Sequence, residues 1–311
     1  MLIIDIILLS SNYLIIKILM EEFMAKIGIV ACSTSGLDYW PGYEEIRIAR
    51  TTITMDGKEY LDGLTIHPRE FYDQLDNLQD VPKTSQPSTG HLLEIFEEMK
   101  SQGYTDIIYI SISDQLSGTY QAVCMTKDLV EGVNIHPFNT KTATFVHGFM
   151  ATEAYRLAKE GKSVEEILAY LEYLRDNDRI FFMVDDLKYL VKNGRLSNVA
   201  SVIANMLKIK PLLEIGDDGK IVATEKIRTT KKAIDRVVDS FLEDTNNGIN
   251  AKFIFILQTD AKEHVEYVKE RLREAGIDTS TLIDAPVSPG IGCHVGKGVV
   301  GIGYILDKPR N

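Results

Sequence analysis

The chain has 311 residues and carries 34 lysines and arginines against 45 aspartates and glutamates, which gives a net charge of −11. The length is typical of about two domains. A composition of 45% hydrophobic and 25% charged residues excludes a disordered, collagen-like or low-complexity chain. The acidic balance argues against a general nucleic-acid binder, which carries a basic stripe, so we expect no nucleic-acid partner.

The three cysteines, Cys32, Cys124 and Cys293, lie far apart in the chain and form no CxxC pair. A disulfide framework or a structural zinc site needs an even set of cysteines or closely spaced ligands. We therefore expect free thiols in a reducing cytoplasm, and no metal site.

Residues 1–23 are strongly apolar, but Asp5, Lys17 and the polar residues 10–12 interrupt the run. These interruptions argue against a membrane-spanning helix. The segment has neither the basic start nor the small-residue cleavage site of a signal peptide. Met24 directly precedes a typical first strand. We therefore favour an extension or a translation start assigned too far upstream. A membrane-associated helix and a helix packed on the fold or in an oligomer interface stay open.

Strand and helix patterns alternate in the first half of the chain. Strands are predicted over residues 27–30, 47–55 and 106–111. Helices are predicted over residues 68–78, 91–102, 119–130, 148–159 and 164–177. Asp56-Gly57 predicts a hairpin. This rhythm predicts an α/β fold with a parallel sheet covered by helices.

A second set of elements follows. Strands are predicted over residues 181–184, 210–215, 221–227, 252–258, 281–287 and 300–306. Helices are predicted over residues 186–191, 199–207, 229–244 and 261–275, and a glycine-rich loop over residues 288–298. We expect an N-terminal α/β domain over residues 24–180 and a C-terminal α/β domain over residues 181–311.

Polar clusters lie at four element boundaries, namely residues 33–35, 84–88, 117–120 and 289–298. Ligands of parallel α/β sheets bind at the carboxyl ends of the strands, where hydroxyl and N–H groups suit a carboxylate or a phosphate. The alternative is helix capping, since serine and threonine are favoured N-caps. The chain has no dinucleotide fingerprint, phosphate-binding loop, nucleophile elbow or HExxH motif, so we expect no cofactor.

Two basic segments, residues 192–197 and 228–232, stand out on the acidic chain. Each segment is either a solvated turn or helix start, or a site where an anionic group or an acidic partner surface binds.

The polar and basic clusters, in this order, resemble the DegV family of bacterial fatty-acid-binding proteins. The resemblance covers essentially the whole chain from residue 24, and TSQPS and LSGTYQ are its most specific segments. The matching segments are residues 26–35 (KIGIVACSTS), 83–88 (KTSQPS), 111–122 (SISDQLSGTYQA), 185–197 (DDLKYLVKNGRLS), 208–213 (KIKPLL), 227–233 (IRTTKKA) and 288–301 (SPGIGCHVGKGVVG).

The resemblance implies two α/β domains with a lipid site between them that holds one long-chain fatty acid. It also implies a separate fatty acid kinase, which phosphorylates the bound carboxyl group from ATP so that the acyl phosphate enters phospholipid synthesis. The protein would then be a cytoplasmic carrier without catalytic residues of its own, and its membrane contact would be at most transient.

The resemblance assigns site residues by motif position. Thr84 or Ser85, together with Ser117, would hydrogen-bond the fatty acid carboxylate, and the Gly118 N–H would assist. His294 would lie beside the head group and help to engage the kinase.

Three cations are candidates for partner docking. Arg195 and Arg228 would lie on the rim that faces the kinase. Lys297 stands where the family usually has proline, and it would add a positive charge near the head group.

Other positions also depart from the family pattern. Cys32 stands where an aspartate is usual, Asn193 where glycine is common, and residues 36–45 (GLDYWPGYEE) are atypical.

Two further functions are open on the sequence alone. One is a hydrolase of acyl esters that uses Ser117 with His294 as its base, although no acid partner or nucleophile elbow supports it. The other is a membrane-attached lipid chaperone that uses residues 2–20. The apolar helix predicted over residues 199–207, with Ile203, Met206 and Leu207, is a candidate wall for the acyl tail.

Overall fold

The computed structural model describes residues 25–197, 209–280 and 282–307. The N-terminal extension and the helix predicted over residues 199–207, with its candidate tail-wall residues, lie outside these ranges. Within them, no helix is long and apolar enough to cross a membrane. The same ranges hold no group of histidine, cysteine and carboxylate side chains that could bind a metal ion. The three cysteines are free thiols.

Strands and helices alternate along the described chain and are numbered in chain order. The strands are β1 (Ile27–Cys32), β2 (Arg47–Ala49), β3 (Thr52–Met55), β4 (Lys58–Leu61), β5 (Lys83–Ser85), β6 (Asp106–Ser111), β7 (Asn134–Asn139), β8 (Asp178–Met183), β9 (Leu212–Ile215), β10 (Ile221–Glu225), β11 (Ala251–Gln258), β12 (Ile283–Pro286) and β13 (Val300–Leu306). The helices are α1 (Pro68–Leu75), α2 (Thr89–Ser101), α3 (Thr119–Thr126), α4 (Thr144–Lys159), α5 (Val164–Asp176), α6 (Lys188–Lys192), α7 (Thr230–Asp244), α8 (Lys262–Glu274) and α9 (Pro289–Val295).

The first sheet is parallel, as the sequence predicts, with the strand order β2-β1-β6-β7. Both of its faces are covered. Val30 and Tyr109 pack with α2 and α3, whereas Ile29 and Ile108 pack with α4. Burial on both faces explains why β1 and β6 read as continuous apolar runs rather than as alternating strands.

The second sheet has six strands in the order β10-β9-β8-β13-β11-β12. Among these pairs only β11 and β12 are parallel, and the other four pairs are antiparallel. The parallel arrangement predicted for the first half of the chain therefore does not extend to this half. The hairpin at residues 216–219 reverses the chain between β9 and β10, and β13 returns to lie between β8 and β11 after the excursion through β12 and α9.

The two faces of this sheet have different neighbours. Phe181, Ile256 and Ile302 belong to the core that α7 and α8 cover. Phe182 and Leu257, on the opposite face, belong to the large core that also contains α4 and the first sheet. The second sheet therefore packs against the first half of the chain across α4, and this packing places the cavity described below.

A small third sheet, β4-β3-β5, holds the Thr84 segment. The predicted hairpin at Asp56-Gly57 is present between β3 and β4, and both turn residues have positive φ, at 45° and 78°. The single strand predicted over residues 47–55 is two strands in two different sheets. β5 and β7 are strands that the sequence patterns do not reveal, and Pro137 within β7 is tolerated because β7 is an edge strand.

The loop predicted over residues 288–298 is wrong, because helix α9 occupies its first half. Ser288 and Pro289 favour a helix start. Gly292 fits because α9 packs closely on α1: a Cβ there would lie 2.6 Å from the Tyr72 hydroxyl oxygen. Tertiary contact therefore overrides the poor helix propensity of glycine.

Sheet membership changes between β7 and β8, close to the predicted domain boundary. The boundary itself stays a prediction.

Candidate ligand-binding site

A cavity lies between the first half of the chain and the six-stranded sheet. Its empty space is about 820 Å³, counting the part open to solvent. Most of its walls are apolar. The lining residues are Thr34, Thr51, Thr84, Gln86, Ile112, Leu116, Ser117, Ala143, Thr144, Ile180, Phe182, Arg195, Ile215, Ile221, Leu257, Val287, Gly290, Ile291, His294, Val295 and Val299.

The apolar wall comes largely from one face of the second sheet. Ile180 and Phe182 of β8 lie opposite Gly303 and Gly301 of β13. Because Gly303 has no side chain, helix α4 packs close to β13, and a Cβ at this position would lie 2.6 Å from Val146 Cγ2. This contact closes the space beside Ile180 and Leu257.

One end of the cavity is polar, and we define this polar end by Thr84, Gln86, Ser117, Arg195 and His294. Thr84 Oγ1 lies 2.8 Å from His294 Nε2, within hydrogen-bonding distance, and the donor depends on the histidine tautomer. Ser117 Oγ lies 2.8 Å from Thr119 Oγ1 and accepts a hydrogen bond from the Thr119 N–H. The sequence clusters around TSQPS and LSGTYQ therefore meet here, as expected for strand ends in one site.

His294 is partly buried and is held in its neutral form. Burial, with a further contribution from the charge of Arg195, lowers the pKa of His294 to about 4. Its Nδ1 is buried without a hydrogen-bond partner among the described residues. The ring therefore offers one nitrogen that Thr84 engages and one whose hydrogen-bonding capacity is unused.

Arg195 forms part of the cavity wall, at the same end as His294. Its Nε donates to the Leu116 carbonyl at 3.2 Å, and Nη1 donates to the Asn193 carbonyl. The guanidinium has no carboxylate partner among the ion pairs of the described residues. A partly buried cation without a counter-charge favours a nearby anion.

Two of the predicted carboxylate-binding residues do not line the cavity. Ser85 is exposed, whereas its neighbour Thr84 is part of the wall, as the alternation of side chains along β5 requires. Gly118 is also exposed, and Gln86 lies against it, because a Cβ at Gly118 would be 2.0 Å from Gln86 Oε1. Of Thr84 and Ser85, only Thr84 lines the cavity.

Two of the predicted docking cations also lie outside the cavity wall. Arg228 is exposed on the loop before α7. Lys297 forms ion pairs with Asp76 at 3.1 Å and Asp260 at 3.4 Å. Because these carboxylates offset its charge, Lys297 does not supply the free cation that we expected near the head group.

Sequence reasoning did not assign four polar lining residues, namely Thr34, Thr51, Gln86 and Thr144. Thr34 and Gln86 lie within polar clusters that were singled out by their position after strands. Nothing local marks Thr51 or Thr144 as site residues, since both reach the cavity through the packing of separate elements.

The expected nucleophile and base of a hydrolase do not face each other. The Ser117 hydroxyl pairs with Thr119, and the His294 ring pairs with Thr84. A hydrolase of this kind needs its serine within hydrogen-bonding reach of the histidine. The contacts of the described residues include no such pair.

A family model described as "Uncharacterised protein, DegV family" matches residues 26–307. The chain belongs to the DegV family. A DegV domain-containing protein of Staphylococcus aureus is 34% identical over 288 residues, which cover 92% of this chain and 99% of that protein. The fatty acid binding DegV family protein of Streptococcus agalactiae has a TM-score of 0.83 and 29% identity, with 92% of this chain and all of that one covered. The fatty acid binding protein DegV of Bacillus subtilis has a TM-score of 0.79 and 28% identity, covering 91% of this chain and 99% of that one.

Two departures from the usual DegV pattern have local explanations. Cys32 is fully buried, and burial raises the pKa of its thiol to about 11, so it stays protonated 2.9 Å from Thr34 Oγ1. The Asn193 side chain donates to the Cys293 carbonyl at 2.9 Å, so it ties the turn before Arg195 to helix α9.

The atypical DegV segment over residues 36–45 covers an aromatic cluster. Trp40 stacks on Phe145 with ring centroids 4.2 Å apart, and Phe145 contacts Phe255 edge-on. The segment therefore packs where α4 meets the second sheet.

Proposed function

We propose that this protein binds one long-chain fatty acid, with the acyl tail in the apolar part of the cavity and the carboxylate at the polar end. The observation that carries the proposal is an apolar cavity with hydroxyl groups, a neutral histidine and one arginine gathered at one end. An amphipathic ligand with a long apolar body and a small anionic head matches both parts. The fatty acid binding of the two similar solved structures supports the same ligand class.

The energetics favour such a ligand. Each buried CH₂ group contributes about 0.8 kcal/mol, so a 16-carbon tail gains on the order of 12 kcal/mol before the entropic cost of binding. The hydroxyls of Thr84 and Ser117 satisfy the carboxylate oxygens, which would otherwise be costly to bury. Arg195 supplies the charge complement, while its guanidinium stays hydrogen-bonded to backbone carbonyls.

We further propose that the bound carboxyl group is presented to a separate fatty acid kinase for phosphorylation, which feeds phospholipid synthesis in a cytoplasmic setting. Ser85, Gln86 and Gly118 are exposed beside the polar end, so a partner can approach the head group there. The exposed Arg228 is a candidate contact for that partner. The protein then acts as a carrier rather than as an enzyme, in keeping with the lack of contact between Ser117 and His294.

Native mass spectrometry of the gently purified full chain tests the ligand. We expect a mass increment equal to that of one long-chain fatty acid, or stoichiometric binding when oleate or stearate is added to delipidated protein. If no lipid co-purifies and neither acid binds, fatty acid binding is refuted. Ester turnover that is lost in Ser117→Ala would favour the hydrolase instead.

A second assay tests the kinase step. The fatty-acid-loaded protein is incubated with ATP and the catalytic subunit of a fatty acid kinase, and acyl phosphate is measured. Arg228→Ala is expected to slow phosphorylation without weakening fatty acid binding. Lys226→Ala, an exposed cation on the same loop, is the matched control. Equal rates for wild type and Arg228→Ala would contradict the docking role.

A further inference from the structure

A fully buried carboxylate, Asp62, lies at the start of helix α9, beside Gly290 of the cavity wall. It follows β4 and is completely shielded from solvent. Neither the sequence motifs nor the cavity lining includes it. Burial raises the pKa of Asp62 to about 6, so the carboxylate form prevails at neutral pH.

Asp62 receives hydrogen bonds from two separate parts of the chain. Ser288 Oγ donates to its Oδ2 at 3.1 Å, and the Gly290 N–H donates to its Oδ1 at 3.1 Å. The Ser33 side chain, directly after β1, also interacts favourably with the ionised carboxylate and so lowers its pKa. Asp62 therefore joins the start of helix α9 to the end of the central strand of the first sheet.

The start of helix α9 depends on this carboxylate. Ser288 is the N-cap residue, but its side chain makes no capping hydrogen bond to the helix. Asp62 instead satisfies the free Gly290 N–H, which is one of the unpaired donors of a helix start. Gly290 leaves room for this approach, because a Cβ there would lie 2.6 Å from Asp62 Oδ2.

Helix α9 carries His294, which follows Gly290 by one helical turn. The same short helix therefore receives the Asp62 contact at its start and presents the His294 ring to Thr84 at its end. Thr34 lies beside Gly290 on the cavity wall, since its Cγ2 would be 3.3 Å from a Cβ there.

We infer that Asp62 is a positioning residue, which fixes helix α9 against β1 so that His294 and Thr34 keep the geometry that receives the ligand head group. This inference rests on the proposed fatty acid site, but it concerns a residue that touches neither the cavity nor the ligand. Hydrogen bonds to a buried charged group are among the stronger ones in proteins. Because such a bond holds the start of helix α9, we expect its loss to change the position of the helix and not only its stability.

The test compares Asp62→Asn with wild type by two measurements. The first is the imidazole ¹⁵N signal of His294 in the ligand-free protein, which we expect to shift, while that of His136, which pairs with Asp106 on the edge strand β7, stays in place. The second is fatty acid affinity, which we expect to fall about tenfold or more, because a charge-assisted contact is lost. Asp178→Asn, which changes another buried carboxylate outside the polar end, is the matched control and should leave both readouts unchanged.

A double-mutant cycle separates positioning from general damage. In a His294→Ala background, Asp62→Asn should weaken fatty acid binding less than it does in the wild type, because the part of its effect that passes through His294 is gone. An equal loss of affinity in both backgrounds, or an unmoved His294 signal, would overturn the inference. If Asp62→Asn does not fold, Ser288→Ala takes its place, because it removes one hydrogen-bond donor to Asp62. We expect it to shift the His294 signal in the same direction by a smaller amount.

The two proposals fail in different ways. If the wild-type protein binds no fatty acid, the proposed function fails, and the His294 signal still decides whether Asp62 positions helix α9. If wild type binds and Asp62→Asn binds equally well with an unchanged signal, only the role of Asp62 is refuted.

Discussion

Thr84 Oγ1 and His294 Nε2 lie 2.8 Å apart although 210 positions separate them in the chain. The contact joins strand β5 to helix α9 at the polar end of the cavity. Thr84→Val keeps the shape of the side chain but removes its hydroxyl. We expect fatty acid affinity to fall about tenfold, as for loss of a hydrogen bond to a charged head group.

Displacement of a fluorescent fatty acid measures this loss. Ser85→Ala is the matched control, because Ser85 is the exposed neighbour of Thr84 on the same strand. It should bind like wild type. A larger loss for Ser85→Ala than for Thr84→Val would mean that the carboxylate lies outside the cavity.

The apolar wall predicts how chain length affects binding. Ile180 on β8 lines the cavity, so Ile180→Phe adds volume where the tail would lie. We expect long acids such as stearate to lose far more affinity than lauric acid, since each methylene that is excluded costs about 0.8 kcal/mol.

Ile256→Phe is the matched control for overpacking. Ile256 is fully buried on the opposite face of the same sheet, in the core under α7 and α8. Overpacking costs about 1–3 kcal/mol of stability in either variant. Calorimetry with acids of increasing length measures how affinity depends on chain length, and only Ile180→Phe should change this dependence. The same dependence in both variants would mean that the acyl tail does not bind against this face of the sheet.

The parts of the fold that local pattern determines could be predicted from the sequence. The buried run of β6 is found with its bounds, and the Asp56-Gly57 hairpin follows from turn chemistry. Helix α9 could not be predicted, because Gly290 and Gly292 disfavour a helix and long-range contacts, such as those with Asp62 and Asn193, stabilise it.

The residues of the candidate site also divide into those that a local motif identifies and those that only packing brings together. Motif position identifies Thr84, Ser117 and His294, which all line the cavity. Thr51 and Asp62 reach the site region only through packing, and the 226 positions between Asp62 and Ser288 leave no local pattern to read. The antiparallel second sheet was missed because the alternation of strands and helices does not reveal strand direction.

The β9–β10 hairpin forms the wall at Ile215 and Ile221, and its tip is fastened to other elements. Asp217 at the tip pairs with Arg179 at 2.8 Å. We expect Asp217→Asn to loosen the hairpin and to speed fatty acid release by about two- to fivefold, because an exposed ion pair contributes less than about 1 kcal/mol.

Stopped-flow release of a fluorescent fatty acid measures this rate. Asp218→Asn is the matched control, since Asp218 pairs only locally, with Lys220 on the same hairpin. Equal release from both variants would show that the hairpin tip does not control exchange.

Because the Asp178 carboxyl group is buried, we expect the stability of the wild type to depend on pH differently from that of Asp178→Asn. Burial raises the pKa of Asp178 from 3.8 to about 7. The folded state therefore binds more protons than the unfolded state between these values, and this group lowers the free energy of unfolding as pH rises through that window. Buried His147 has the opposite sign: its pKa is lowered from 6.5 to about 4, so its contribution to stability is lost as pH falls below 6.5.

Asp178→Asn removes only the first contribution. Relative to wild type, the variant should gain stability between pH 4 and pH 8, on the order of 4 kcal/mol at about 1.4 kcal/mol per pKa unit. Urea unfolding at the two pH values measures the difference, with the exposed Asp128→Asn as the control that should show little change. The stability difference between Asp178→Asn and wild type could instead stay flat or fall with pH. That result would mean that Arg179 keeps Asp178 ionised in the folded protein, because an ionised carboxylate paired with a guanidinium stabilises the fold.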